Sequence, residues 1–94
     1  RALADAIDRA LTDLLGFYRD VLTLQLGAGT GLVNVDMVSE IEDVAASSTA
    51  ETTMERVGAI ELARTRNQST AAPLLLLEAM VITLANPVET RPEV

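Results

Sequence analysis

Apolar residues recur at Leu3, Ile7, Ala10, Leu14, Phe17, Val21 and Leu24, the alternating four-three spacing of a single helical face. The spacing predicts one long helix at the start of the chain. Asp5 stands four residues before Arg9, a favourable pairing for a side of that helix that faces water. Past Gly16 the apolar stripe widens. Phe17, Tyr18, Val21, Leu22, Leu24 and Leu26 occupy most of the circumference and leave Arg19, Asp20, Thr23 and Gln25 as the polar remainder. This half is expected to be covered on two sides. Gly27 falls where a helix C-terminus favours a left-handed residue, and Gly29 and Gly31 continue as a loop.

Helical spacing resumes at Met37 or Val38, Ile41, Val44 and Ala45, a short second helix for which either Asn34 or Asp36 can serve as N-cap. A polar break over residues 47–52 follows. Thr52-Thr53-Met54-Glu55 has the Thr-x-x-Glu spacing of a capping box, so Thr52 is expected to cap a third helix running to about Arg66, with Val57 and Ile60 inward. Pro73 then suits a first helical turn, where its missing N–H costs nothing. From Leu74 to Ala85 only Glu78 is charged. Twelve residues are too few to span a bilayer, which needs about 20, so an all-round apolar helix of this length is expected at the centre of a bundle. Asn86-Pro87 ends it. The pattern therefore predicts an all-α bundle of four to five helices over residues 1–85, with 86–94 as a loose tail.

Composition narrows the chemistry. The 94 residues include 14 Asp and Glu against 7 Arg, with no Lys, His, Cys or Trp, for a net charge of −7. Without His or Cys, zinc sites, Ser-His-Asp and Cys-His nucleophile systems and thiol redox motifs are ruled out. The negative charge repels phosphate backbones, and the arginines are scattered with no basic stripe, so direct nucleic-acid binding is not expected. One Phe and one Tyr leave the core to Leu, Val, Ile and Ala. No secretory leader is recognised at the start, which makes cytoplasm the default expectation. Beginning at Arg1 and ending in a Pro-containing acidic tail, the sequence reads as an excised piece of a longer protein.

Four groups of residues invite a functional reading. Gly27-Ala28-Gly29-Thr30-Gly31 looks like a phosphate loop, but it follows a helix, lacks the P-loop Lys and has Leu32 where a dinucleotide fingerprint needs Gly, so it reads as a helix-ending loop. Asp36, Glu40, Glu42 and Asp43 are acidic, yet Glu40 and Glu42 point to different helix faces, which describes a solvated surface rather than a metal site. Glu78 has no His, Lys or inward carboxylate to work with, which favours an ion pair or a subunit boundary over a catalytic role. Tyr18-Arg19-Asp20 places three functional side chains where little exposed face remains. Either an intramolecular salt bridge or an intersubunit contact satisfies them, Arg and Tyr being favoured interface anchors.

Phe17-Tyr18-Arg19-Asp20-Val21-Leu22-Thr23-Leu24-Gln25-Leu26-Gly27-Ala28 followed by Leu32-Val33-Asn34-Val35-Asp36 resembles the C-terminal domain of the delta-prime subunit of the bacterial DNA polymerase III clamp loader, particularly its actinobacterial form. Ala63-Arg64 and Ala72-Pro73-Leu74-Leu75-Leu76-Leu77-Glu78-Ala79-Met80 are similar to that family's closing segment. The likeness extends from about Leu3 to Leu84; Thr70 stands where the family pattern has Asn, and Thr can also cap a helix. The resemblance implies a helical collar domain that associates with the delta and gamma or tau subunits, holding together the ring that loads the sliding clamp in DNA replication. It also implies a non-catalytic piece with no cofactor, metal or small-molecule substrate. The expected interface is Tyr18, Arg19 and Leu22, and the expected caps are Asn34, Thr52 and Thr70. A bundle binding an apolar small molecule or lipid, suggested by the Leu74–Leu84 helix, is the alternative.

Overall fold

The computed structural model describes residues 1–28, 31–69 and 73–86, with side chains omitted for 73–76. Among these residues there are four α-helices, one 3-10 turn and no strand: α1 (Ala2–Gln25), the turn Val35–Met37, α2 (Val38–Ser47), α3 (Ala50–Ser69) and α4 (Pro73–Ala85). The all-α bundle is as the periodicity predicts. The packing differs in instructive ways.

α1 and α3 form the antiparallel pair on which the rest is built, α3 lying against α1 along more of its length than either other helix does. Asn67 Nδ2 donates to the Ala4 carbonyl at 2.8 Å, Arg64 pairs with Asp8 at 3.1 Å, and Arg19 pairs with Glu61 at 2.9 Å, fixing the register along the second half of α3. Between them lies the main core of Ile7, Leu11, Leu15, Ile60, Ala63 and Met80, with Tyr18 and Val57 packed at its edge. The buried side of α1 is therefore rotated from the predicted face toward Leu11 and Leu15. Leu3 and Leu24 are exposed, at 53% and 39%, and so is Ala10. A four-three pattern tolerates this rotation because each residue step turns the helix by about 100°, and neighbouring Leu positions compete for the inward stripe.

The second half of α1 is covered less than expected. Asp20 and Val21 are buried, Tyr18 and Leu22 are half-buried, and Leu26 is 62% exposed. The helix ends in a Schellman arrangement: Gly27 adopts φ +64°, its N–H reaches the Leu24 carbonyl at 3.1 Å, and the Ala28 N–H reaches Thr23 at 3.2 Å. Gly27 closes the helix, as its position predicts.

Three of the expected helix starts need comment. Asn34 precedes the 3-10 turn and its carbonyl accepts the Met37 N–H, but its side chain turns away to Asp20; α2 follows Met37, and neither Asn34 nor Asp36 caps it through a side chain. Thr52 is likewise not the cap of α3. Thr49 is: its Oγ1 accepts the Thr52 N–H at 3.1 Å, and its carbonyl accepts the Thr53 N–H, so the helix begins three residues earlier than the Thr-x-x-Glu pattern places it. Thr70 lies outside the described residues, as do the residues after Asn86. α3 continues to Ser69, beyond the expected end near Arg66.

α4 is not the central helix. Met80 is buried and Leu77 and Leu84 pack on the core, but Val81 and Ile82 are 52% and 64% exposed. It rests mainly on α3 and touches α1 over a short stretch. The Cα trace is only 17 Å deep along its shortest axis, room for about two layers of helices at the usual 8–10 Å spacing. No described element remains to cover the outer side of α4.

Candidate subunit interface

The three residues expected to form an interface sit within one turn of α1 but in different surroundings. Tyr18 faces inward: it packs on the core, meets Phe17 edge-on with ring centroids 5.3 Å apart, and carries the Arg56 guanidinium 5.7 Å from its ring centre. Such a cation–π contact adds about 0.5–1 kcal/mol where solvent still reaches it. Arg19 is exposed and bound to Glu61 within the same chain, with side-chain exposures of 60% and 51%. Solvent screens a pair this open, so it contributes at most about 1 kcal/mol. Leu22 is half-buried, one turn beyond Tyr18.

Asp20, the third member of the polar triplet, is satisfied inside the chain. Its residue is 3% exposed, and its carboxylate accepts three hydrogen bonds, from the Val33 N–H at 2.9 Å and from the Asn34 N–H and Nδ2 at 2.8 Å each. Burial is the largest single influence on its pKa and acts to raise it, but the bonds from Val33 and Asn34 together outweigh burial and hold the carboxyl below its ordinary 3.8. The connection after α1 is thereby fastened to the helix it leaves. Gln25 performs a similar task one turn later, its Nε2 donating to the Ala45 and Ser48 carbonyls and to Ser48 Oγ at 3.1–3.3 Å. Neither role was visible from spacing, since both depend on a loop folding back onto the helix.

Near these anchors in sequence several large apolar side chains lie in water. Leu24, Leu26, Val33, Val35 and Met37 are all exposed, Val33 at 81% and Val35 at 72%. A second set comprises Met54 and Leu62 on α3 with Val81 and Ile82 on α4. The notch between α3 and α4, bounded by Leu62, Ala63, Arg66, Ala79, Met80 and Thr83, holds about 90 Å³, well short of the roughly 300–1,000 Å³ of ligand pockets. A broader open depression of about 350 Å³ beside Arg19 is walled by Glu61, Arg64, Thr65 and Gln68, a polar lining unsuited to an apolar ligand.

The other candidates resolve as surface. Asp36, Glu40, Glu42 and Asp43 are exposed, and among the described residues no three carboxylates gather as metal ligands would. Glu78 is exposed and is not a member of either ion pair among those residues. Of the glycine-rich loop, Gly29 and Thr30 lie outside the description. No described helix is long and apolar enough to cross a membrane.

No family model, curated protein or solved structure matches the chain.

Sequence spacing missed one further feature, although the signal is in plain sight. Between Arg19 and Arg56 the chain has seven acidic residues and no basic one, while the remainder carries seven acidic residues and Arg in equal number. The arginines are scattered along the chain, but not evenly. The entire net charge belongs to the end of α1, the connection after it, α2 and the start of α3.

Proposed function

We propose that this chain is an assembly domain, the collar domain of a clamp-loader delta-prime subunit, which associates through helix faces with the delta and gamma or tau subunits in the cytoplasm and takes no part in catalysis. The observation that carries this reading is the amount of large apolar side chain left on the outside of a thin bundle, among them Leu24 and Leu26 at the end of α1, Val33 and Val35 after it, and Val81 and Ile82 on α4, with Leu22 half-buried. Large apolar side chains left in water in this number mark a protein–protein contact where they gather. The choice of clamp loader among assemblies is supported by the likeness of residues 17–28, 32–36 and 72–80 to that family.

The test is reconstitution. Purified chain mixed with delta and gamma or tau subunits should co-elute with them on size-exclusion chromatography. Leu22→Glu should weaken that association by about tenfold or more, as loss of a central interface contact does, with helicity unchanged by circular dichroism. Tyr18→Asp should do the same but also lower the melting temperature, because Tyr18 packs on the core. Wild-type affinity of both variants, or no association of the unaltered chain, refutes the proposal.

A further inference from the structure

Residues 33–37, leading into α2, are held in place while their two valines are held out. Val33 and Val35 are the most exposed large apolar residues described. A flexible loop can turn such residues inward; this one cannot, because the N–H groups of Val33 and Asn34 are bound by the buried Asp20 carboxylate. The 3-10 turn, closed by the Met37 N–H on the Asn34 carbonyl, fixes the backbone on the other side. Val33 and Val35 are also β-branched and stiff at χ1. Little conformational freedom is left to lose on binding, which is the condition under which exposed apolar area converts efficiently into affinity.

Charge states what kind of partner fits. Asp36 stands between Val35 and Met37, Glu40 lies in the first turn of α2, and both are exposed, within the stretch that holds all of the net −7. A second copy of this chain would bring the same charge to the same place. Nucleic acid and an anionic bilayer repel it for the same reason. From the fixed valines and the exposed carboxylates of Asp36 and Glu40 in the same segment, we infer that residues 33–40 are a docking surface for a basic amphipathic helix of a partner protein, its apolar side seated on Val33, Val35 and Met37 and its Lys or Arg residues paired with Asp36 and Glu40. The surface borders the proposed subunit interface, since Arg19 and Val33 line one depression, but its chemistry is independent of any clamp-loader assignment.

The probe is a synthetic helical peptide of Leu and Lys with all Leu on one face, compared with a peptide in which Ser replaces Leu. Titrated into the isotopically labelled 94-residue chain, the Leu-Lys peptide should move the amide resonances of residues 33–40 first and most. The Val33→Ser, Val35→Ser double variant should weaken binding by about tenfold or more, the order expected when apolar burial is lost at two side chains. Asp36→Lys with Glu40→Lys should weaken it similarly and flatten its salt dependence. These are exposed positions, and circular dichroism should show the fold unchanged. Absence of binding, equal binding of the Ser peptide, undiminished binding by the valine variant, or shifts centred on Leu62 and Ile82 would each overturn the inference. Because no loader subunit is used, the result stands apart from the reconstitution above.

Discussion

The two ends of this small bundle are held together by different physics. Where α1, α3 and α4 meet, an apolar core holds the helices, with Leu11 and Ile60 fully enclosed in it and the Arg19–Glu61 and Arg64–Asp8 pairs at its margin. Where α1 meets the connection and α2, the buried apolar residues reduce to Val21 and Ile41, and hydrogen bonds accepted by Asp20 and donated by Gln25 carry the chain across. The first end is nearly balanced in charge among the described residues, whereas the second, from Asp20 to Glu55, holds seven acidic residues and no basic one, together with the most exposed valines. An end stabilised by burial tolerates changes of salt and pH but not of shape. An end stabilised by a buried carboxylate behaves in the opposite way. The division suits a domain whose apolar end serves folding and whose polar end presents a surface.

Removing bulk from the apolar end should have the largest effect. Ile60→Ala in α3 is expected to destabilise the chain by about 2–5 kcal/mol through lost burial and the cavity left behind, a large share of the 5–15 kcal/mol typical of a domain. Denaturant unfolding measures it, and the whole chain should respond because α1 and α4 both lean on this residue's cluster. A loss below about 1 kcal/mol would mean that the site collapses around the deletion and that the core is not closely packed.

The polar end should answer to Asp20→Asn. An amide has one acceptor oxygen where the carboxylate has two, and its NH₂ would face either the Val33 N–H or the two Asn34 donors, depending on which way it turns. The expected cost is about 1.5–3 kcal/mol, the scale of hydrogen bonds to a charged group. It should appear first as faster hydrogen exchange at the Val33 and Asn34 amides, not at Ile60. The pH dependence has a definite sign. Because the folded-state pKa of Asp20 is depressed, its contribution is fully present above the unfolded value of about 3.9, fades as pH falls below that, and is gone once the pH passes beneath the lowered folded value. The Asn variant should lose that part of the acid sensitivity. Equal acid profiles for the two proteins would show that the latch contributes nothing.

What could be read beforehand divides along the same line. Helix number, the end of α1 at Gly27 and the start of α4 at Pro73 follow from local chemistry and are found where spacing puts them. The inward side of α1 is not local: it is chosen by which neighbours cover it, and Leu11 and Leu15 lie innermost in place of Ala10 and Leu14, Leu14 staying half-buried at the edge of the core. For α4 an apolar stretch with no polar side carries no directional information, so its position at the edge could not be deduced. Asp20 shows the limit most clearly. Its polarity among apolar neighbours announces a partner, but the partner is a backbone thirteen residues on. Of the candidate interface, Arg19 proved to have its ion pair inside the chain and Tyr18 its cation inside the chain, leaving Leu22 as the member whose role depends most on a neighbour.

The smallest effect tests the junction between the two ends, where Ser48 accepts from Gln25 and Thr49 begins α3. Thr49→Ala removes the oxygen that accepts the Thr52 N–H and should cost about 1 kcal/mol, the usual value for an N-cap. Thr52→Ala removes only a hydroxyl that accepts from Thr49 Oγ1 and puts a better helix former inside the first turn, so it should fall within about 0.5 kcal/mol of the parent. Comparing the two by thermal unfolding ranks the alternative caps directly. If Thr52→Ala proved the more damaging, the helix would begin at Thr52 after all, and Ala50 and Glu51 would join the connection between α2 and α3. The Gln25 contacts would then anchor a longer loop rather than a tight corner. The two ends would be free to move relative to each other, and the polar end could not hold its valines in a fixed relation to α1.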